Sequence, residues 1–203
     1  MKLYYSPGAC SLACHITLHE VGRPFATERA DIRAKTTETG ADFRAINPKG
    51  AVPALVLDDG AVLTEGVAIM QFVVDQAGAA DLLPAPGTLA RARVQELLNY
   101  ISSELHKSYS PFFAPGITDE GRTAQKVVLD ARLAWIEGLL SDGRAWLAGD
   151  SFTPADAYLF TVTNWSAFVG HDLSVFPHLN ALRARIAARP AVQAAMKAEG
   201  LLN

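Results

Sequence analysis

Cysteine is scarce in this chain: there are two in 203 residues, Cys10 and Cys14. That number builds no disulfide framework, and with half of its residues apolar the chain has enough core to fold without one. Four positions apart on one predicted helix, the two thiols share a face but are poorly placed for an unstrained disulfide. They do not form a C-x-x-C pair, and His15 and His19 supply no convergent ligand set, so no metal is expected. An excess of positive charge is also missing. Eighteen Lys and Arg stand against twenty-one Asp and Glu, a net charge of −3, which argues against a nucleic-acid partner. No stretch approaches the roughly 20 continuous apolar residues of a membrane span. Met1 to Pro7 lacks the apolar run of a signal peptide, so no membrane association and a cytoplasmic location are expected. Internal repeats and low-complexity tracts are absent.

What is present begins with strand, turn and helix. Leu3, Tyr4 and Tyr5 read as a strand, Ser6-Pro7-Gly8 breaks it, and Leu12 and Ile16 recur at helical spacing. Cys10 falls at the turn. A thiol there faces unpaired backbone N–H groups and the positive end of the helix dipole, which favours thiolate over thiol. The alternative is a small packing residue, as many unpaired cysteines are. Cys14 reads as core. Val21-Gly22-Arg23-Pro24 stops the helix, Phe25 to Ala30 suits a short strand, and Asp31 to Asp42, holding Lys35, reads as an irregular loop. After a helical turn at Phe43 to Ile46 and the Asn47-Pro48-Lys49-Gly50 break, Ala51 to Leu57 reads as a strand that tolerates Pro53 near its start. Asp58-Asp59-Gly60 is a hairpin signal leading to Ala61-Val62-Leu63. Thr64-Glu65-Gly66 opens a helix over about Val67 to Gln76. Residues 1–78 therefore form an α/β unit.

Residues 79–88 lose periodicity, contain prolines and a glycine, and read as an interdomain connection. Residues 89–203 are helical in pattern. One helix is predicted from Leu89 to about Tyr109, with Asn99, Ser103 and His106 sharing a face. A second is predicted from Asp119 to Leu140, burying Val127, Val128, Ala131, Trp135 and Leu139. Thr153-Pro154-Ala155-Asp156 is a capping signal for a helix running to Gly170, and two more follow, from Phe176 to Arg189 and from Pro190 to near Gly200.

A βαβαββα unit followed by an all-helical domain, with a thiol at the first turn and Val52-Pro53 entering the third strand, resembles a cytosolic glutathione transferase. Tyr4-Tyr5-Ser6-Pro7-Gly8-Ala9-Cys10-Ser11, Asn47-Pro48-Lys49-Gly50, and His106-Lys107 followed by Pro111-Phe112-Phe113 are similar to the bacterial beta class. The resemblance implies a thioredoxin-like N-terminal domain with Pro53 in the cis form. It also implies that the backbone of Val52 pairs with the cysteinyl unit of glutathione as a short strand. Glu65 and Gly66 would meet the γ-glutamyl end, and Gly66 offers its N–H without a hydroxyl. Lys35 would face the glycyl carboxylate. Asn99, Ser103, Glu104, His106 and Lys107 would complete the glutathione contacts, some across the interface of a homodimer.

Read alone, Lys35 is an exposed loop lysine and His106 a packed helix residue. With the resemblance, the catalytic set becomes Cys10, Ser11 and His106, as donors or thiol beside the glutathione sulfur, and Tyr5 stays outside it. Phe112, Phe113, Trp165 and Phe168 would line the pocket for a small hydrophobic electrophile, although the last two suit a core equally well. The implied activity is conjugation of reduced glutathione, the co-substrate, with Cys10 able to form a mixed disulfide. Two alternatives stand beside it. One is a glutathione-dependent thiol–disulfide oxidoreductase or peroxidase, and the other is a non-catalytic ligand-binding protein of the same fold.

Overall fold

Strand β1 (Lys2–Tyr5) has Leu3 and Tyr4 buried on opposite faces, the pattern of a strand covered on both sides. It sits in the middle of a five-stranded sheet in the computed structural model of the chain, which describes residues 1–202. Helix α1 (Ser11–Val21) follows it and ends at Gly22, whose φ of 68° is the left-handed conformation glycine allows. β2 (Ala26–Asp31) runs parallel to β1, and β3 (Thr36–Thr37) pairs antiparallel on its outer edge. That short edge strand lies inside the stretch predicted as loop. After α2 (Phe43–Ile46), β4 (Ala54–Val56) and β5 (Val62–Thr64) add antiparallel on the other side of β1, giving the order β3-β2-β1-β4-β5. β4 starts three residues later than the sequence predicts, because Val52 and Pro53, joined by a cis peptide bond, precede the ladder. Helix α3 (Gly66–Ala77) packs on α1.

Helix α1 is buried from Ser11 through Leu18. An apolar helix covered on all sides needs neighbours beyond one sheet, and the third is a late one. Contacts group the chain into Met1–Leu83 with the segment from Ala188 onward, and separately Pro84–Ala187. Helix α9 (Pro190–Ala198), which the sequence groups with residues 89–203, packs on α1. Charges fix it there. Arg189 grips Glu20 with two bonds of 2.6 and 2.7 Å. Beyond the helix, buried Glu199 takes the ring of His15 at 2.9 Å and the Gly8 N–H at 2.9 Å.

In the second unit, α4 (Leu89–Tyr100) is capped by Thr88, whose side chain accepts the Arg91 N–H. The predicted single helix to Tyr109 is interrupted. Ile101–Leu105 forms a π-helical turn before α5 (His106–Tyr109) and a 3-10 turn, Ser110–Phe113. Helix α6 (Asp119–Leu140) has the predicted bounds but another buried face: Leu129, Leu133, Ile136 and Leu140 point inward. Val127 and Trp135 are 67% and 45% exposed. Two interleaved apolar stripes run along α6; the one of Leu129, Leu133, Ile136 and Leu140 fills the core, while Trp135 on the other packs on the Tyr100 ring, 4.2 Å between centroids. Helices α7 (Pro154–Val169) and α8 (Pro177–Ala187) complete the unit. Among the described residues, no helix is long and apolar enough to cross a membrane.

Asp156, fully buried, ties the start of α7 to the segment before it. Its carboxylate accepts the Leu147 N–H at 2.8 Å and both the N–H and hydroxyl of Thr153 at 2.8 and 3.0 Å. Asp156→Ala strands three buried donors, and an expected loss of about 2–4 kcal/mol follows from a lost cap plus unsatisfied groups. Urea unfolding monitored by far-UV circular dichroism reads it. A loss under about 1 kcal/mol would contradict the role given to this carboxylate.

Candidate active site

In the first unit the thiol of Cys10 stands at the N-terminus of α1, in the N-cap position. Its Sγ lies 3.3 Å from the carbonyl oxygen of Val52, so the first helix and the turn before β4 meet at this sulfur. Cys10 is half-buried and Cys14 fully buried, and both are thiols rather than a disulfide. Burial above all, and the nearby Cys10 second, push the Cys14 thiol well above its ordinary range. Cys14 is therefore inert as a nucleophile. Its Sγ rests 3.6 Å from the Gly66 carbonyl oxygen. A Cβ at Gly66 would sit 3.6 Å from both Cys14 Sγ and Pro53 Cγ, ordinary contact, so packing does not demand glycine there.

Ser11 departs from its predicted role. It is buried, and its hydroxyl accepts the Ser6 N–H at 3.1 Å while lying 3.3 Å from the Ser6 carbonyl oxygen. The hydroxyl clamps the loop ahead of Cys10 and is not presented to a ligand. Tyr5 packs against His15, with ring centroids 5.6 Å apart, and burial raises its phenol.

Two residues that are not glycine have positive φ among the described residues, Lys35 at 62° and Glu65 at 70°. Both are predicted site residues. Such conformations cost of order 1–3 kcal/mol each and gather where function requires them. The Lys35 ammonium donates to the Gly50 carbonyl at 2.8 Å, and its stem packs over Gly50. Glu65 precedes α3 and forms a short ion pair with Lys49, which also donates to the Thr64 hydroxyl at 3.0 Å. Lys35, Glu65 and Lys49 place two cations and a carboxylate, all with side chains in solvent reach, on loops of the unit that holds Cys10. This suits a zwitterionic ligand with free carboxylates and an amine.

In the second unit His106 opens α5. Its Nδ1 lies 2.7 Å from the Tyr158 hydroxyl, and its ring meets Trp165 edge-on at 4.7 Å between centroids. Burial first, and the Lys107 charge second, hold His106 down at about 4, so the ring is neutral near pH 7. Trp165, buried, also takes Tyr109 and Phe113 edge-on at 5.8 and 6.0 Å. Phe113 is 53% exposed and presents its ring to solvent, while Phe112 is buried with the Arg122 guanidinium over its face. Of the residues predicted for the pocket, Trp165 packs on His106 and Phe113 packs on Trp165. Phe168 does not join it: it is 71% exposed, and no ring among the described residues packs on it.

Asn99 and Ser103 are exposed, with the Ser103 hydroxyl donating to the Asn99 carbonyl at 2.9 Å. Glu104 pairs with Arg132 at 2.8 Å, and Lys107 is exposed. The shared face predicted for Asn99, Ser103 and His106 is broken by the π-helical turn, which changes the angular step between them.

Sequence reasoning missed Lys49 and Tyr158. Lys49 stood inside a motif read as a turn and as part of the resemblance, with no role given to its side chain. Tyr158 lies two helical turns before Trp165, a spacing that puts both rings on one face of α7 and could have marked it.

Comparison with known proteins places these observations. Residues 8–76 match the family model "Glutathione S-transferase, N-terminal domain", and residues 92–190 match "Glutathione S-transferase, C-terminal domain". The glutathione S-transferase GstA of Escherichia coli O157:H7 is 47% identical over 99% of this chain and 100% of its own. A sphingomonad glutathione S-transferase, solved in complex with glutathione, superposes with a TM-score of 0.94 at 46% identity over 100% of both chains. A ternary complex of BphK, described as a bacterial GST, gives 0.95 at 49% identity over 99% of this chain and 100% of that one. The α/β unit followed by a helical unit superposes on these relatives over essentially the whole chain. The chain belongs to the glutathione S-transferase family.

The environment of His106 has a measurable consequence. Its folded-state pKa lies below that of a free imidazole, so the folded protein binds fewer protons than the unfolded chain between about pH 6.5 and 4. The stability that His106 contributes is complete above pH 6.5 and declines as the pH falls through 4. An NMR titration of the ring should show a midpoint near 4 and no change across pH 6–8. A midpoint near 6.5 would contradict the burial described here.

Proposed function

We propose that this protein catalyses conjugation of reduced glutathione to small hydrophobic electrophiles. The glutathione sulfur forms a bond to an electrophilic carbon, the leaving group departs with its electron pair, and the thiol proton passes to solvent. The observation that carries this reading is the pair of left-handed residues, Lys35 and Glu65, beside a first unit built on Cys10 and Val52. Strain at two charged positions is retained where a charged ligand uses them. Lys35 is assigned to the glycyl carboxylate, and Glu65, steered by Lys49, to the amine of the γ-glutamyl unit. The Gly66 N–H faces that unit's carboxylate, and the backbone of Val52 takes the cysteinyl unit. Asn99, Ser103, Glu104 and Lys107 are assigned as outer polar contacts. Phe113 and Trp165 are assigned as apolar surface for the electrophile, and neutral His106, packed on Trp165, is assigned as a hydrogen-bond donor.

Membership of the family supports a homodimer working in the cytoplasm. It also supports the likeness of the first unit to thioredoxin.

A second activity is favoured by one observation: Cys10 is half-buried and reachable, while Cys14 beneath it is sealed. Cys10 thiolate can attack oxidised glutathione, breaking its S–S bond, forming the Cys10–glutathionyl disulfide and releasing one reduced glutathione.

Activity of the purified protein with 1-chloro-2,4-dinitrobenzene and reduced glutathione tests the main reading, and Cys10→Ala separates the two activities. Conjugation should survive in Cys10→Ala, reduced by about twofold to tenfold for a lost hydrogen bond, while reaction with oxidised glutathione vanishes. No conjugation by the wild type with this or other aryl halides and enones would overturn the proposal.

A further inference from the structure

We infer that Tyr158 is a positioning residue that fixes His106 in the tautomer with its proton on Nε2. The neutral imidazole thereby presents an N–H at Nε2 and no free lone pair there to take up a proton. The contact is the 2.7 Å approach of the Tyr158 hydroxyl to His106 Nδ1. Either atom could donate, and chemistry decides the direction. A phenol O–H is a stronger donor than an imidazole N–H, and the bare nitrogen of a neutral imidazole is a stronger acceptor than a phenol oxygen. The hydroxyl therefore gives its proton to Nδ1 and keeps lone pairs for its other neighbours. With Nδ1 occupied as an acceptor, the single proton of a neutral ring must reside on Nε2.

Both partners are held. Tyr158 is buried on the second turn of α7, downstream of the Asp156 cap, and Trp165 on the same helix packs edge-on against the His106 ring. The ring is thus gripped at Nδ1 and on its flank by side chains of one helix. A neutral Nε2–H stabilises a thiolate without transferring a proton, in keeping with a ring that stays neutral near pH 7. This inference rests on the proposed conjugation only for its consequence. The tautomer stands or falls alone.

The test is nitrogen-15 NMR of histidine-labelled full-length protein, with Tyr158→Phe and, as a control, Tyr109→Phe. Tyr109 is a second buried tyrosine edge-on to Trp165, but its hydroxyl bonds the Ser166 hydroxyl at 2.6 Å and not His106. In the wild type, His106 Nδ1 should resonate as an unprotonated, hydrogen-bonded nitrogen and Nε2 as a protonated one. In Tyr158→Phe the Nδ1 signal should move toward the unbonded value and kcat should fall about twofold to tenfold, with KM for glutathione little changed. Tyr109→Phe should leave the His106 signals in place. A wild-type ring protonated on Nδ1, or a Nδ1 signal indifferent to Tyr158→Phe, overturns the inference whether or not the protein conjugates glutathione. Normal tautomer signals with no conjugation activity in the wild type would instead remove the proposed function and leave the positioning intact.

Discussion

The contact between Cys10 and the Val52 carbonyl is the constraint on which the first unit turns. It joins the N-terminus of a helix buried throughout its first two turns to the entry of β4, and each side is held from behind. The loop before Cys10 is clamped by the Ser11 hydroxyl, and the Gly8 N–H is taken by Glu199 from the far end of the chain. Nothing in this scaffold lets the sulfur wander, because buried elements interlock and cannot shift singly. The half-buried thiol of Cys10 sits at the helix N-terminus against the Val52 carbonyl, and its side chain makes no cap hydrogen bond to the helix amides. The charges of Lys35, Lys49 and Glu65 lie on loops of the same unit.

The second unit solves a different problem. A buried histidine can act as a base or as a donor, and which it does depends on its protonation state and on the ring atom already engaged. Burial against Trp165 keeps the ring neutral, and the Tyr158 hydroxyl engages Nδ1. A π-helical turn just before His106 separates it from the exposed face of α4, so the ring faces inward while Asn99 and Ser103 face solvent. Irregular turns of this kind concentrate at functional positions because they re-aim a side chain without ending the helix.

Much of this was legible in the sequence, and the reasons differ by element. The first strand, the first helix and the α7 cap announced themselves through apolar runs bounded by Ser-Pro-Gly and Thr-Pro-Ala-Asp, signals that act locally. The buried face of α6 was not legible, since Val127, Val128 and Trp135 form as good an apolar stripe as Leu129, Leu133 and Ile136 until partners choose between them. The place of α9 against α1 depends on Glu199 meeting His15, a contact spanning most of the chain that no local pattern encodes. In the candidate site, Cys10 was visible from its position at a turn. The strain at Lys35 and Glu65 was hidden because neither residue is the glycine that usually marks a left-handed backbone. Ser11 and Phe168 misled for a common reason: residue type and spacing indicate what a side chain could do, and only packing shows that one points inward and the other away from the ring cluster.

The central claim, that Cys10 lies within the seat of a glutathione molecule, is tested most directly by the rate at which iodoacetamide alkylates Cys10, followed by peptide mapping with and without a non-reactive S-alkyl glutathione. The account predicts that the ligand slows alkylation of Cys10 in a saturable way and that Cys14 stays unmodified in both conditions. Alkylation of Cys10 at the same rate at every ligand concentration would contradict it.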